Sequence, residues 1–313
     1  MNQPTSGILV RVARRTDVGD IAVLDLEPWD GGVALPAWTP GSHVDVLMPD
    51  GVVRQYSLCG AEGAWRLAVL DEPEGRGGSH WLAGHAAPGV QLELAGPRNH
   101  FPFEPDARRV LLIAGGIGIT PILPMAYAAR LAGLDVELHY AGHEGRMAFL
   151  GELSELDDAV RLHVSEHGDR LDVRAVLTAA AAGTGVWCCG PVPLVDEVEA
   201  VANELGLPLH LERFVAKELE EPVWEGEFEV ELAQSGETVV VPAGRSILEV
   251  VEEAGVFVLS SCHEGTCGTC ETPVLSGGID HRDSILTPAE RESGDRMFIC
   301  VSRSAGPRIV LDL

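Results

Sequence analysis

The chain has 313 residues, 46% of them hydrophobic, which is enough for two or three domains that each bury a core. Its net charge of −26 leaves no basic face to neutralise phosphates, so nucleic acid is excluded as a partner and an anionic membrane surface is disfavoured. No apolar run approaches the roughly 20 residues of a membrane helix, and residues 1–15 lack the apolar core and small-residue cleavage site of a secretory leader.

The expectation is therefore a cytoplasmic, monomeric protein that binds neither membrane nor nucleic acid. Seven cysteines fit a reducing compartment in which thiolates stay available as ligands.

From residue 8 to about 103, short apolar runs are broken by Gly and Pro. They predict strands at 8–12, 21–26, 44–47, 52–58, 65–70 and 90–94, with one brief helix after Ser79. Six such strands suit a small antiparallel β-barrel. Within it, Arg54-Gln55-Tyr56-Ser57-Leu58 puts a guanidinium and an aromatic ring on one strand face, an amide and a hydroxyl on the other. Such a strand suits a flat ring with a phosphate nearby; an ordinary edge strand has the same composition. Gly75-Arg76-Gly77-Gly78-Ser79 opens the helix, where glycines let backbone N–H groups approach an anion at the positive helix end. A hairpin turn with Ser79 as plain N-cap is the competing reading.

Together with Pro40-Gly41-Ser42-His43-Val44-Asp45, these motifs resemble the flavin domain of the ferredoxin reductase superfamily. Within it they are similar to the phthalate dioxygenase reductase and vanillate O-demethylase reductase group. The resemblance implies FMN held by Arg54, Gln55, Tyr56, Ser57, Val69, Leu70, Gly77, Gly78 and Ser79. Ser57 then counts among the catalytic residues, and the acidic stretch 71–74 stays clear of the phosphate.

After a boundary at residues 104–107, strand and helix alternate: 110–114, 120–131, 136–141 and 150–156, then onward to 209–214. That order predicts an α/β domain with a parallel sheet. Gly115-Gly116-Ile117-Gly118-Ile119-Thr120-Pro121 joins its first strand to its first helix, with Thr120 as cap and Pro121 in the first turn. A pyrophosphate suits the free N–H groups there, although the ordinary Gly-x-Gly-x-x-Gly fingerprint is not met. Cys188-Cys189-Gly190-Pro191 lies at a later strand's carboxyl end, where open α/β sheets bind ligands.

The resemblance gives both segments to a nicotinamide dinucleotide, held by Gly115, Gly116, Gly118, Thr120, Tyr140, Cys189, Gly190 and Pro191. Cys189 would stand by the hydride-donating carbon, with Cys188 a buried small hydrophobe. Glu144 favours NADH, whereas His143 and Arg146 would tolerate a 2′-phosphate; the family points to NADH. Phe214 either covers the flavin face, as a catalytic residue, or is a core residue of a final strand.

Residues 217–226 lack periodicity and read as a tether. Beyond it come a hairpin, 228–232 with 238–241, a helix at 246–253 with Ser246 and Glu249 as a capping box, and strands at 272–275, 298–301 and 309–311. Cys262, Cys267 and Cys270 are spaced C-x4-C-x2-C and Cys300 lies beyond, which is the plant-type [2Fe-2S] spacing. Structural zinc draws its ligands from two separate short pairs, whereas three cysteines here crowd into nine residues.

The segment resembles a ferredoxin of β-grasp, α+β fold. The expected multidomain order is an FMN β-barrel (1–104), an NAD α/β domain (105–218), a linker (219–227) and a [2Fe-2S] domain (228–313). What it implies is the reductase component of a Rieske-type oxygenase, moving electrons from NADH through FMN and the cluster to an oxygenase on a separate chain. A flavin and iron-sulfur redox sensor without turnover is the alternative. Residues 222–313 hold 16 acids against 6 bases, which suits either docking to a basic partner or general solubility.

Overall fold

The structure, a computed structural model, describes residues 7–31, 33–49, 51–219 and 221–313. The first six residues of the stretch read for a leader, and Glu220 of the expected tether, lie outside it. The chain divides into two units, Met1–Glu212 and Arg213–Leu313. Among the described residues no helix is long and apolar enough to cross a membrane.

The first unit begins with β1 (Ile8–Val18), β2 (Ile21–Pro28), β3 (His43–Leu47), β4 (Val53–Ser57), β5 (Arg66–Leu70), α1 (Gly78–His85) and β6 (Gln91–Arg98). The strands make one antiparallel sheet in the order β4-β3-β6-β1-β2-β5. Period-2 alternation decides which face is inside. Val10, Val12, Leu24, Val44, Val46, Leu67, Val69 and Leu94 are buried, while Arg11 and Glu27 point outward and pair at 2.8 Å. The sheet curls until its ends meet: the Cys59 N–H just past β4 donates to the Arg66 carbonyl of β5 at 2.9 Å.

The unit continues through β7 (Arg109–Gly115), α2 (Ile119–Leu131), β8 (Asp135–Gly142), α3 (Leu150–Leu153), β9 (Val160–Val164), α4 (Val173–Ala179), β10 (Gly185–Cys189), α5 (Val192–Leu205) and β11 (Leu209–Glu212). The sheet β11-β10-β7-β8-β9 is wholly parallel. Both faces are covered, so its strands read as nearly continuous apolar runs. Leu112, Ala114, Leu138 and Tyr140 share a core with α2, and Leu111, Ile113, Val186 and Cys188 share one with α4 and α5.

The two sheets are welded together. Phe101, Ile21 and Ala68 belong to the same buried cluster as α2, the Trp187 indole N–H donates to the Pro102 carbonyl at 3.1 Å, and Phe103 meets Trp187 edge-on at 5.0 Å. Arg66 bridges Asp25 at 2.6 Å and Glu152 at 2.8 Å.

The second unit holds β12 (Phe228–Leu232), β13 (Glu237–Val241), α6 (Ile247–Glu253), β14 (Glu271–Ser276), β15 (Ile279–Asp280), α7 (Pro288–Ser293), β16 (Arg296–Phe298), β17 (Arg303–Ser304) and β18 (Arg308–Leu311). Its main sheet runs β13-β12-β18-β14-β16; β12 and β18 are parallel and the other pairs antiparallel. β15 and β17 pair separately. Ile247, Leu248 and Val251 of α6 pack on Phe228, Val230, Phe298 and Ile309. The Ser246–Glu249 capping box starts α6 as expected, a feature worth about 1 kcal/mol. α7 carries a second box, Thr287 with Glu290.

Candidate functional site

In the first unit, Arg54 on β4 reaches across to the start of α1. Its Nη2 donates to the Arg76 carbonyl at 3.1 Å, and a Cβ on Gly78 would fall 2.5 Å from its Cγ. Any larger residue at 78 would have to push the Arg54 side chain aside. The N-cap of α1 is Gly77, at φ 81°, and not Ser79. Two glycines let the helix start earlier, so Ser79 sits inside its first turn and its Oγ accepts the Glu72 N–H at 3.3 Å. On the acidic stretch, Asp71 pairs with His80 at 2.9 Å.

Tyr56 is half-buried, and burial raises its phenol pKa, so it presents a neutral ring. Gln55 turns away and donates to Asp45 at 2.7 Å, a carboxylate also held by Arg98 at 2.6 Å. Ser57 and Val69 are buried and Leu70 is half-buried. Side by side, then, are a cation, a ring and the free N–H groups of a helix start.

The second station lies at the carboxyl ends of β7 and β10, neighbours in the parallel sheet. A turn of 3-10 helix, Gly116–Gly118, precedes α2. Thr120 does not cap that helix; its hydroxyl donates back to the Ile117 carbonyl at 2.9 Å, tightening the turn. A Cβ on Gly118 would meet the Cys189 carbonyl oxygen at 2.3 Å and Gly190 Cα at 2.7 Å, and one on Gly115 would meet Pro191 Cδ at 2.7 Å. The two expected loops therefore touch, backbone to backbone.

Cys188 and Cys189 are both fully buried, and burial pushes the Cys189 thiol well up. Tyr140 is enclosed in the α2 core. Beyond the end of β8, the Glu144 N–H and His143 hold the Glu166 carboxylate down at about 2. Arg146 is committed elsewhere, to Asp20 at 3.1 Å. Phe214 lies past the end of β11, within the second unit, and is exposed, so it is not a core residue of a final strand.

In the second unit Cys262, Cys267, Cys270 and Cys300 are free thiols, the first three on one loop and the fourth just past β16. His263, Gly265 and Gly268 take positive φ, which curls the backbone inward. The Glu264 and Thr266 N–H groups donate to Cys262 Sγ at 3.4 and 3.5 Å, the Cys262 N–H donates to Cys267 Sγ at 3.4 Å, and Thr269 Oγ1 lies 3.2 Å from Cys267 Sγ. Cys300 is brought to the set by its neighbour Ile299, whose N–H donates to the Cys270 carbonyl at 3.4 Å. The Cys267 and Cys300 thiols, with those N–H groups, pull Cys262 toward the thiolate.

Four thiols with amide donors aimed at sulfur are a donor set that fits an iron-sulfur group. Among the described residues no three His, Cys, Asp or Glu side chains converge on a point as one ion requires. Two irons shared among four thiolates impose no such point.

Residues 230–305 match the family model of the 2Fe-2S iron-sulfur cluster binding domain. Over 301 residues the chain is 42% identical to the phenoxybenzoate dioxygenase subunit beta of Ectopseudomonas oleovorans, covering 94% of this chain and 93% of that one. It is 40% identical to the vanillate O-demethylase oxidoreductase of a Pseudomonas species, covering 96% and 98%. Phthalate dioxygenase reductase, a solved structure described as modular for electron transfer from pyridine nucleotides to [2Fe-2S], matches with TM-score 0.68 and 36% identity over 98% of each chain.

The chain belongs to the phthalate dioxygenase reductase and vanillate O-demethylase oxidoreductase family. Longer proteins contain the same module: an intact self-sufficient cytochrome P450 monooxygenase matches with TM-score 0.90 and 38% identity over this whole chain, which spans 43% of that one.

In this member of the reductase family one residue escaped the sequence reading. Glu212 ends β11 directly opposite Cys189. Its Oε2 is enclosed with no hydrogen-bond partner, and burial pushes its carboxyl up to about 8. The nearest warning in the sequence was an acid closing an apolar strand, Leu209-His210-Leu211-Glu212.

Proposed function

We propose that the protein is the NADH-dependent reductase component of a Rieske-type oxygenase, passing electrons through FMN and a [2Fe-2S] cluster to an oxygenase on a separate chain. The observation that carries it is the four-thiol set with amide donors, in one chain with a unit that sets a glycine turn against the Cys189-Gly190 turn. When bound, a flavin accepts two electrons as hydride and releases them singly, which links a nicotinamide to a one-electron cluster. This chain's residues bind, orient and shield.

In this reading residues 1–104 form the flavin barrel, 105–218 the nucleotide domain, 219–227 a linker and 228–313 a β-grasp cluster domain. Arg54 and the Gly77-Gly78-Ser79 turn hold the flavin phosphate, with Gln55, Tyr56, Ser57, Val69 and Leu70 around the ring. Gly115, Gly116, Gly118 and Thr120 receive the pyrophosphate, while Cys189, Gly190 and Pro191, with Tyr140 behind, shape the nicotinamide site. A buried, neutral Cys189 shields the hydride path and is not a nucleophile.

Among the residues around the ring, Ser57 is the one given a catalytic role. Glu166 stays anionic near the end of β8 and Arg146 is engaged by Asp20, which disfavours a 2′-phosphate and supports NADH. Cys262, Cys267, Cys270 and Cys300 hold the cluster.

The test is to purify the protein, chromatograph the released flavin, assay iron and acid-labile sulfide, and follow NADH-dependent ferricyanide reduction. FMN, two irons per chain and sustained turnover are expected. Loss of either cofactor, or slow single-turnover reduction such as a sensor shows, overturns the reading.

A further inference from the structure

The second unit leaves large apolar side chains in water beside its cysteine loop. Phe257 is 67% exposed and Leu259 54% exposed. Val258 between them is buried in the core that also contains Cys270 and Cys300. That alternation puts both exposed side chains on the outer side of the segment that reaches Cys262 three residues later.

The stretch of chain that bears the pair is acidic. Residues 246–281, which span the cysteine loop, hold six acids and no Lys or Arg. Arg245, just outside, engages Glu253 at 2.7 Å and Glu249 at 3.7 Å. Glu252, which accepts the Ser260 hydroxyl at 3.5 Å, Glu264 and Glu271 lie on the same stretch. An apolar centre with a charged rim is the anatomy of a transient protein interface, and single-sign charge steers the encounter.

We propose that Phe257 and Leu259 are the apolar anchor of a docking face for a separate, basic one-electron acceptor protein, rimmed by Glu252, Glu264 and Glu271. The proposal rests on the relay reading above. Electron tunnelling falls off steeply with distance, so the acceptor must seat against the surface beside the cysteine loop. The occupant is basic because residues 213–313 themselves carry 19 acids against 8 bases. Like charge repels an acidic face, whereas a basic acceptor is drawn to it.

The experiment compares wild-type holoprotein with the Phe257→Ala/Leu259→Ala double variant, reading NADH-dependent reduction of cytochrome c, a basic haem protein, and of ferricyanide, which needs no docking face. The KM for cytochrome c should rise roughly fivefold to tenfold, as for loss of an interface anchor. Ferricyanide turnover and the visible and EPR spectra of the cluster should stay as in the wild type.

An unchanged cytochrome c KM overturns the proposal. A parallel fall in ferricyanide turnover overturns it too, because the pair would then serve transfer within the chain. So does a wild-type dimer, seen by light scattering, that the double variant splits into monomers. Cys267→Ser separates the underlying reading: it should abolish cytochrome c reduction, and if it does not, the relay itself is wrong whatever the apolar pair does.

Discussion

Glu212 and Cys189 face each other across β10 and β11, and enclosure disfavours the charged form of each. For Glu212 the consequence has a sign. Its folded pKa of about 8 lies above the ordinary 4.5, so the folded state holds a proton that the unfolded chain releases between those values. That stabilisation is fully present below about pH 4.5 and is lost as pH rises through 8. One proton is worth at most about 2.7 kcal/mol between pH 6 and pH 8. Thermal melts of the wild type should fall over this window, and Glu212→Gln, neutral throughout, should melt with a shallower slope; identical slopes would mean Glu212 is ionised when folded. For Cys189 the expectation is inertness. Iodoacetamide at pH 8 should label Cys59, Cys188 and Cys189 only after denaturation, because all three are buried. Fast native labelling of Cys189, read by mass spectrometry, would point to an accessible thiolate.

Short elements carry the site, and close backbone approach is what they share. At Gly118 the atoms a Cβ would strike are backbone, the Cys189 carbonyl and Gly190 Cα, so relief requires moving one turn away from the other. Gly118→Ala should destabilise the first unit by about 1 to 3 kcal/mol, as overpacking does, and raise the Kd for NADH by titration. A variant with wild-type affinity would show that the two turns need not touch. At the other station, Arg54→Ala removes the side chain that covers Gly78 and should lower flavin retained after gel filtration. Full occupancy would remove Arg54 from the phosphate.

Much of this was legible because it is local. Strand alternation, the β-to-α change of period, the cysteine spacing and the Ser246–Glu249 box all follow from neighbours in sequence. The Thr120 cap, and the competing reading of Ser79 as a cap, failed for an equally local reason: where glycines precede a Ser or Thr, the backbone has more than one place to start a helix, and Gly77 and Gly118 took the caps. The start of α7 is just as local, written as Thr287-Pro288-Ala289-Glu290. Glu212 was not legible, since its enclosure depends on strands and helices packed from far along the chain.

On the scale of the whole molecule the dominant fact is charge of one sign, −26 over 313 residues. Both units share it, so it promotes solubility, but it also sets how acceptors arrive. A basic protein is attracted and a small anion repelled, and salt weakens both effects as the screening length falls below about 10 Å near 0.1 M. Raising ionic strength from about 20 to about 200 mM should therefore slow cytochrome c reduction several-fold, through kcat/KM, while ferricyanide reduction holds steady or quickens. Opposite slopes are the point of the measurement, since denaturation or cofactor loss at high salt would lower both rates together. Two flat responses would show that the negative field acts too far from the site of electron exit to steer anything, and would leave it the single task of keeping the protein in solution.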